Sequence, residues 1–150
     1  MSQPDNIDPR KTATLSAQDH LDILSLYAAY NRTIDTGQSD AWVDTFTVNG
    51  VFDHPSKPLV GREQIAAFIR PRSAALTSHP VIKQRHWNAD INVGGDGQRA
   101  TGTCLVQVTG VDRATGKALV LVSGAYEDSL IKEGAQWRFE RRKLRFDPAS

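Results

Sequence analysis

Between Leu15 and Asp35 the apolar residues recur at helical spacing, whereas from Val81 to Phe146 they alternate with polar ones, so a helical first part precedes a stranded second part. Ser16, followed three residues later by Asp19, reads as a capping box and starts the first helix. Leu21, Leu24, Tyr27 and Ala28 fall on one stripe, which Ile23, Tyr30 and Ile34 widen into an arc too broad for a surface helix. Asp35-Thr36-Gly37 stops it, Gly37 being free to adopt the left-handed cap conformation. Ser39 caps a second, shorter helix that buries Trp42, Val43 and Phe46, and Asn49-Gly50 ends that unit with a turn. Val51 and Phe52 form a brief strand, Asp53 to Pro58 a loop, and Arg62 to Ile69 a third helix stopped by Pro71.

Beyond Pro80 four strands are expected: Val81 to Val93, Arg99 to Thr109, Ala118 to Ile131 and Trp137 to Phe146. Turn signals at Gly94-Gly95-Asp96-Gly97, Asp112 to Lys117 and Glu133-Gly134 separate them and make an antiparallel meander. Helices followed by hairpin-linked strands predict an α+β domain, a curved antiparallel sheet wrapped around its helices, with a pocket between the two. Residues 15–150 form that single domain, and residues 1–14, polar and carrying Pro4 and Pro9, a loose arm.

Composition removes whole classes of function. A chain of 150 residues holds one hydrophobic core rather than two. The net charge of +1 supplies no field for nucleic acid, so none is expected as a partner. No apolar run approaches the roughly 18 residues that span a bilayer, which excludes a membrane helix. The single Cys104 rules out an internal disulfide and a Cys-rich zinc site, and makes a reducing compartment, the cytoplasm, the default. No Gly-rich phosphate loop opens a helix, no Ser sits in a nucleophile elbow, and His20, His54, His79 and His86 lack metal-ligand spacing. The expected partner is a small molecule, with neither metal nor organic cofactor.

What remains is a set of titratable residues in awkward places: Tyr27, Tyr30, Asp35, Asp53, His54, Arg85 and His86. Asp35 ends a helix, where the macrodipole disfavours a negative charge, although Asp also suits the turn that follows. His86 lies within Gln84-Arg85-His86-Trp87-Asn88, a polar stretch of a strand, so alternate side chains there meet different environments. Arg85 and Trp87 alternate with His86, and Trp87 shares its face only in a bulged strand. Arg85 on the opposite face suits an ion pair across the sheet. Asp53 and His54 reach a pocket mouth or simply form the turn with Pro55. Among Arg141, Arg142, Lys143 and Arg145, a solvated face balanced by Glu127 and Asp128 is expected, with Arg142 or Arg145 turning inward if the strand is bulged. Tyr126 and Trp137 read as core aromatics, and Cys104 as a small core residue.

The order of Tyr27 to Asp35, Trp42 to Phe46, Val51 to Asp53, Gly61 to Ile65, Arg85 to Trp87, Gly124 to Asp128 and Trp137 to Arg142 resembles the SnoaL-like branch of the nuclear-transport-factor-2-like superfamily. The resemblance covers about Leu15 to Asp147 and implies an α+β cone, a bent sheet closing over helices around a deep apolar cavity. It also implies a homodimer or higher homo-oligomer through the outer sheet face. Scytalone-dehydratase-like and bile-acid-dehydratase-like members are closest in pattern, and their catalytic Tyr, Asp and His match Tyr30, Asp35 and His86. The second sheet histidine of scytalone dehydratase has no counterpart in His20 or His79.

That resemblance implies a cofactor-independent acid–base lyase, a dehydratase acting on a small cyclic or aromatic hydroxy-ketone. Asp35 would fix the imidazole tautomer, His86 would take the α proton, and Tyr30, with Tyr27 as the other candidate, would bind the enolate oxygen. Trp42, Phe46, Asp53, His54, Trp87, Tyr126 and Arg142 complete the candidate substrate contacts. Two alternatives stand beside it. One is a ketosteroid-isomerase-like or cyclase activity in which Asp35 itself carries the proton. The other is a non-catalytic small subunit or ligand-binding module like that of ring-hydroxylating dioxygenases.

Overall fold

The computed structural model describes residues 15–148, so the arm expected over residues 1–14 lies outside the described residues. Helix α1 spans Ala17–Asp35, and the Ser16 hydroxyl accepts the Asp19 backbone N–H at 3.0 Å, as the capping box requires. Its buried residues are Asp19, Ile23, Tyr27, Tyr30 and Ile34. That stripe is rotated from the one expected: Leu21 is 58% exposed and Ala28 is also exposed. Two tyrosines and two isoleucines cover more apolar area than Leu21 and Ala28 would. Asp19, held by Lys132 and Trp137, fixes the helix in that rotation.

Helix α2, Ser39–Val43, is capped without a side-chain hydrogen bond, since the Ser39 hydroxyl bonds Ser73 at 2.7 Å instead. Phe46 begins strand β1, Phe46–Asp53, rather than ending the helix. The strand runs through Asn49-Gly50, where a turn was expected, because these residues form a bulge, with register against its neighbour shifting between Phe46 and Val51. A Cβ on Gly50 would lie 3.0 Å from the Phe46 Cβ and 3.1 Å from the Phe139 carbonyl oxygen, so any larger residue there would have to push its neighbours aside by a few tenths of an ångström. Strand β2, Pro58–Val60, pairs back on β1 and leads into α3, Gly61–Ala75. Pro71 lies inside α3 rather than at its end. The Ala67 carbonyl that it leaves without an N–H partner is on the exposed side of the helix, where water can satisfy it.

Strands β3 (Val81–Gly95), β4 (Arg99–Asp112), β5 (Ala118–Glu133) and β6 (Gln136–Phe146) form the expected antiparallel meander. The complete sheet has the order β2-β1-β6-β5-β4-β3. Because β1 lies parallel to β6, the curved sheet is mixed, and its two edges do not close on each other. The helices cover its concave side, where Tyr30, Trp42, Phe46, Ile69 and Phe139 are fully buried. Among the described residues no helix is long and apolar enough to cross a membrane.

Candidate functional site

The C-terminal half of α1 meets β3 at two hydrogen-bonded pairs, Asn31 Nδ2 donating to Asn88 Oδ1 at 2.7 Å and Asp35 bonding His86. The Asp35 carboxylate accepts the His86 backbone N–H at 3.0 Å through one oxygen and bonds the His86 Nδ1 at 2.6 Å through the other. These bonds account for a negative charge at a helix C-terminus that the helix itself disfavours. An ionised carboxylate only accepts, so beside it a neutral His86 ring has its proton on Nδ1 and its lone pair on Nε2. The side chains are 16% and 8% exposed, close to water but not open to it.

His86 points inward because β3 is bulged. Its register against β4 shifts between Ile82 and Arg85, with Lys83 in the left-handed region at φ 55°, after which Gln84, His86 and Asn88 share the inner face. A second shift between Ala89 and Asn92, at Asp90, moves the inner face to Ile91 and Val93. Arg85 is exposed on the other face, and no ion pair holds it among the described residues.

His86 forms part of the wall of a cavity of about 170 Å³ between the helices and the sheet. Its polar lining is Tyr30, His54, Arg72, Gln84, His86 and Tyr126; the rest is apolar and includes Phe52, Val106, Val108 and Leu144. Tyr30 and His86 rings stand edge to face with centroids 6.5 Å apart, and the Tyr30 and Tyr126 hydroxyls are 3.5 Å apart. Burial pushes both phenol pKa values up, so both remain protonated donors. The His54 Nδ1 accepts the Ser56 backbone N–H at 3.1 Å, and burial lowers the pKa of this ring, leaving a neutral imidazole against Phe68.

Beneath the tyrosines lies a buried ion pair. The Arg142 Nε is 3.1 Å from Asp128, and both side chains are completely inaccessible. The guanidinium carbon sits 3.5 Å from the Tyr126 ring centroid and 4.2 Å from that of Tyr30. Asp128 also accepts the Tyr27 hydroxyl at 2.6 Å. Burial raises the Asp128 pKa against the opposing pull of Arg142. A register shift that gives β6 an extra residue between Phe139 and Arg141 turns Arg142 inward. Asp128, expected on the solvated face, is buried with it because it alternates with Tyr126 and Leu130 on the inner face of β5, whereas Arg145 pairs with Glu127 outside.

The sequence candidates thus separate into layers. Tyr30, His54, His86 and Tyr126 line the cavity, and Asp35 stands behind His86. Tyr27, Trp42, Phe46 and Arg142 are packed in the core below it. Asp53 pairs with Arg141, and Trp87, 54% exposed, donates its indole N–H to Thr109 at 2.8 Å, so neither reaches the cavity. Sequence reasoning missed Arg72 and Gln84. Ending α3 at Pro71 hid Arg72, although Ile65, Ile69 and Arg72 continue one helical stripe. No group of three or more His, Cys, Asp or Glu residues that would hold a metal occurs among the described residues.

The model of the SnoaL-like domain family matches residues 16–143. A protein of unknown function from Mycobacterium tuberculosis superposes with a TM-score of 0.77 at 32% identity, over 87% of this chain and 72% of the other. A Novosphingobium aromaticivorans protein provisionally named an aromatic ring hydroxylase gives a TM-score of 0.75 at 28% identity, over 89% and 93% of the two chains. Another from that organism, provisionally named a scytalone dehydratase, shares the fold at 17% identity and a TM-score of 0.75, over 87% and 85%. No curated protein matches the chain.

Proposed function

The chain belongs to the SnoaL-like family, and from that premise we propose that it is a cofactor-independent acid–base lyase, a dehydratase of small cyclic or aromatic hydroxy-ketones. The observation that carries this reading is His86 in the wall of an apolar cavity with Asp35 behind it, Nδ1 held by the carboxylate and Nε2 free to accept a proton. His86 Nε2 takes the proton α to the substrate carbonyl, and the electron pair moves onto the carbonyl oxygen as an enolate. Tyr30 and Tyr126 donate hydrogen bonds to that oxygen, preorganised where charge develops. The enolate then re-forms the carbonyl, expels the β-hydroxyl, and receives from the His86 imidazolium the proton that makes the leaving group water. Tyr27 has no part in this, because its hydroxyl is committed to Asp128.

Proton transfer by Asp35 itself, as in an isomerase, is disfavoured because the carboxylate stands behind His86 and does not line the cavity. The test is mass spectrometry of hydroxy-ketones and enones incubated with the protein in deuterated water. Wild type is expected to cause α-deuteration and loss of water. His86→Ala and Asp35→Asn should each lower both rates by about 10²-fold or more, the lower end of what general acid–base catalysis supplies. An asparagine cannot accept both His86 N–H groups, so it releases the tautomer. Turnover retained in both variants refutes the reading, and bond migration without loss of water replaces it with isomerisation.

A further inference from the structure

Among the described residues the cavity is lined by one cation, Arg72, with no carboxylate in contact. Arg72 on α3 reaches across the end of α1 and donates through Nη1 to the Ile34 carbonyl at 3.1 Å and through Nη2 to the Gln84 Oε1 at 3.0 Å. The Gln84 amide is itself oriented, since its nitrogen donates to the Val81 carbonyl at 3.2 Å. Each of these anchors adjoins the proposed acid–base pair: Ile34 precedes Asp35, and Gln84 lies two residues before His86 on the same strand face. The guanidinium is therefore fixed in space by the same two elements that fix the imidazole.

A guanidinium has five N–H donors. Two are spent on Ile34 and Gln84, which leaves three without a protein acceptor among the described residues. Burial lowers the Arg72 pKa, Asp35 acting in the opposite direction, yet an arginine remains charged at any working pH. No ion pair joins Arg72 to Asp35 among the described residues, although the carboxylate acts on it through space. The side chain is half-buried, so a cation with donors to spare stands at the cavity wall where an anion can join it in place of water.

We infer that Arg72 is a specificity-determining residue that binds a carboxylate on the substrate, so that the compounds accepted are aromatic or cyclic acids in addition to being hydroxy-ketones. The inference rests on the reading of this cavity as a substrate site, but it concerns binding and not proton transfer. The acid is anchored at the α3 side, and the ring extends over Val106 and Val108 towards Tyr126, with His86 alongside. A planar carboxylate suits the fork of N–H groups that a lysine could not offer.

Equilibrium binding of 2-naphthoate and of its neutral isostere 2-naphthamide tests this without any turnover. Wild type should prefer the acid by about tenfold or more, and Arg72→Gln should bring the two ligands to within about threefold of each other while the amide affinity is held. His86→Ala should retain the preference, which separates the guanidinium from an imidazolium as the partner of the anion. Equal affinity of wild type for the two ligands, a preference that survives Arg72→Gln, or one lost in His86→Ala overturns the inference. Should Arg72→Gln fail to fold, Arg72→Lys decides: a naphthoate affinity at least about threefold weaker with unchanged amide binding supports the fork, and unchanged naphthoate affinity overturns it. A carboxylate preference that stands while His86→Ala leaves turnover intact would refute the lyase reading alone.

Discussion

Arg142 shows how much one residue can ask of its surroundings. Its guanidinium is fully buried, with Asp128 as ionic partner and the rings of Tyr126 and Tyr30 against it. Burial opposes its charge, but Asp128 and the surrounding phenols outweigh this and raise its pKa. Replacing such a pair by apolar side chains of the same shape is often neutral, whereas removing one member strands the other charge. Arg142→Met is therefore expected to cost about 3–5 kcal/mol in urea unfolding, and Asp128→Asn added to it should recover a large part of that loss. Additive losses in the double variant would mean that the two side chains stabilise the fold independently. The run of four basic residues within five positions offered the inward turn of Arg142 only as one alternative, because strand alternation assigns it to a face only if no extra residue intervenes before it.

At the scale of elements, α1 is pinned at both ends. Its last residue holds His86 on β3, and its first turn holds β5 and β6, because Asp19 accepts Lys132 Nζ at 3.0 Å and the Trp137 indole N–H at 3.1 Å. The bonds from Lys132 and then Trp137 hold the Asp19 carboxyl below its ordinary value of 3.8. A depressed carboxyl pKa contributes stability that is present above the unfolded-state value and is lost as the pH falls through the folded one. Asp19→Asn should accordingly lower the melting temperature at pH 7, and the gap from wild type should narrow below about pH 4. A gap that stays constant with pH would assign the loss to shape rather than charge. The meander was legible because Gly-rich turns punctuate a period of two, and α1 because its cap and stop are written in Ser16, Asp19 and Gly37. The extent of α3 was not, because whether Pro71 ends a helix depends on whether water reaches the carbonyl it frees.

For the whole molecule, the cavity lies between α1, α3 and the inner face of the curved six-stranded sheet. Its wall draws side chains from α1, α3 and every long strand, so closing it requires only volume at the centre. Val108 on β4 lines it and is 6% exposed. Val108→Phe should weaken 2-naphthoate binding by about tenfold or more while changing stability by no more than ~1–3 kcal/mol, the usual cost of added core volume. Undiminished binding with intact stability would move the ligand site elsewhere. The sequence by itself determined α1, the four-strand meander and the α+β class, since periodicity, capping and turn residues are local properties of neighbouring residues, and it made Asp35 conspicuous as an ill-placed charge. Tyr30 and His86 were singled out with it by the family resemblance, and β2 was not foreseen. Only the tertiary structure decided that β1 lies parallel to β6, that bulges in β3 and β6 turn His86 and Arg142 inward, and that Arg72 reaches the same cavity. Each of these depends on a partner strand or helix far away in the chain, and a shift of a single residue in register reverses which face a side chain occupies.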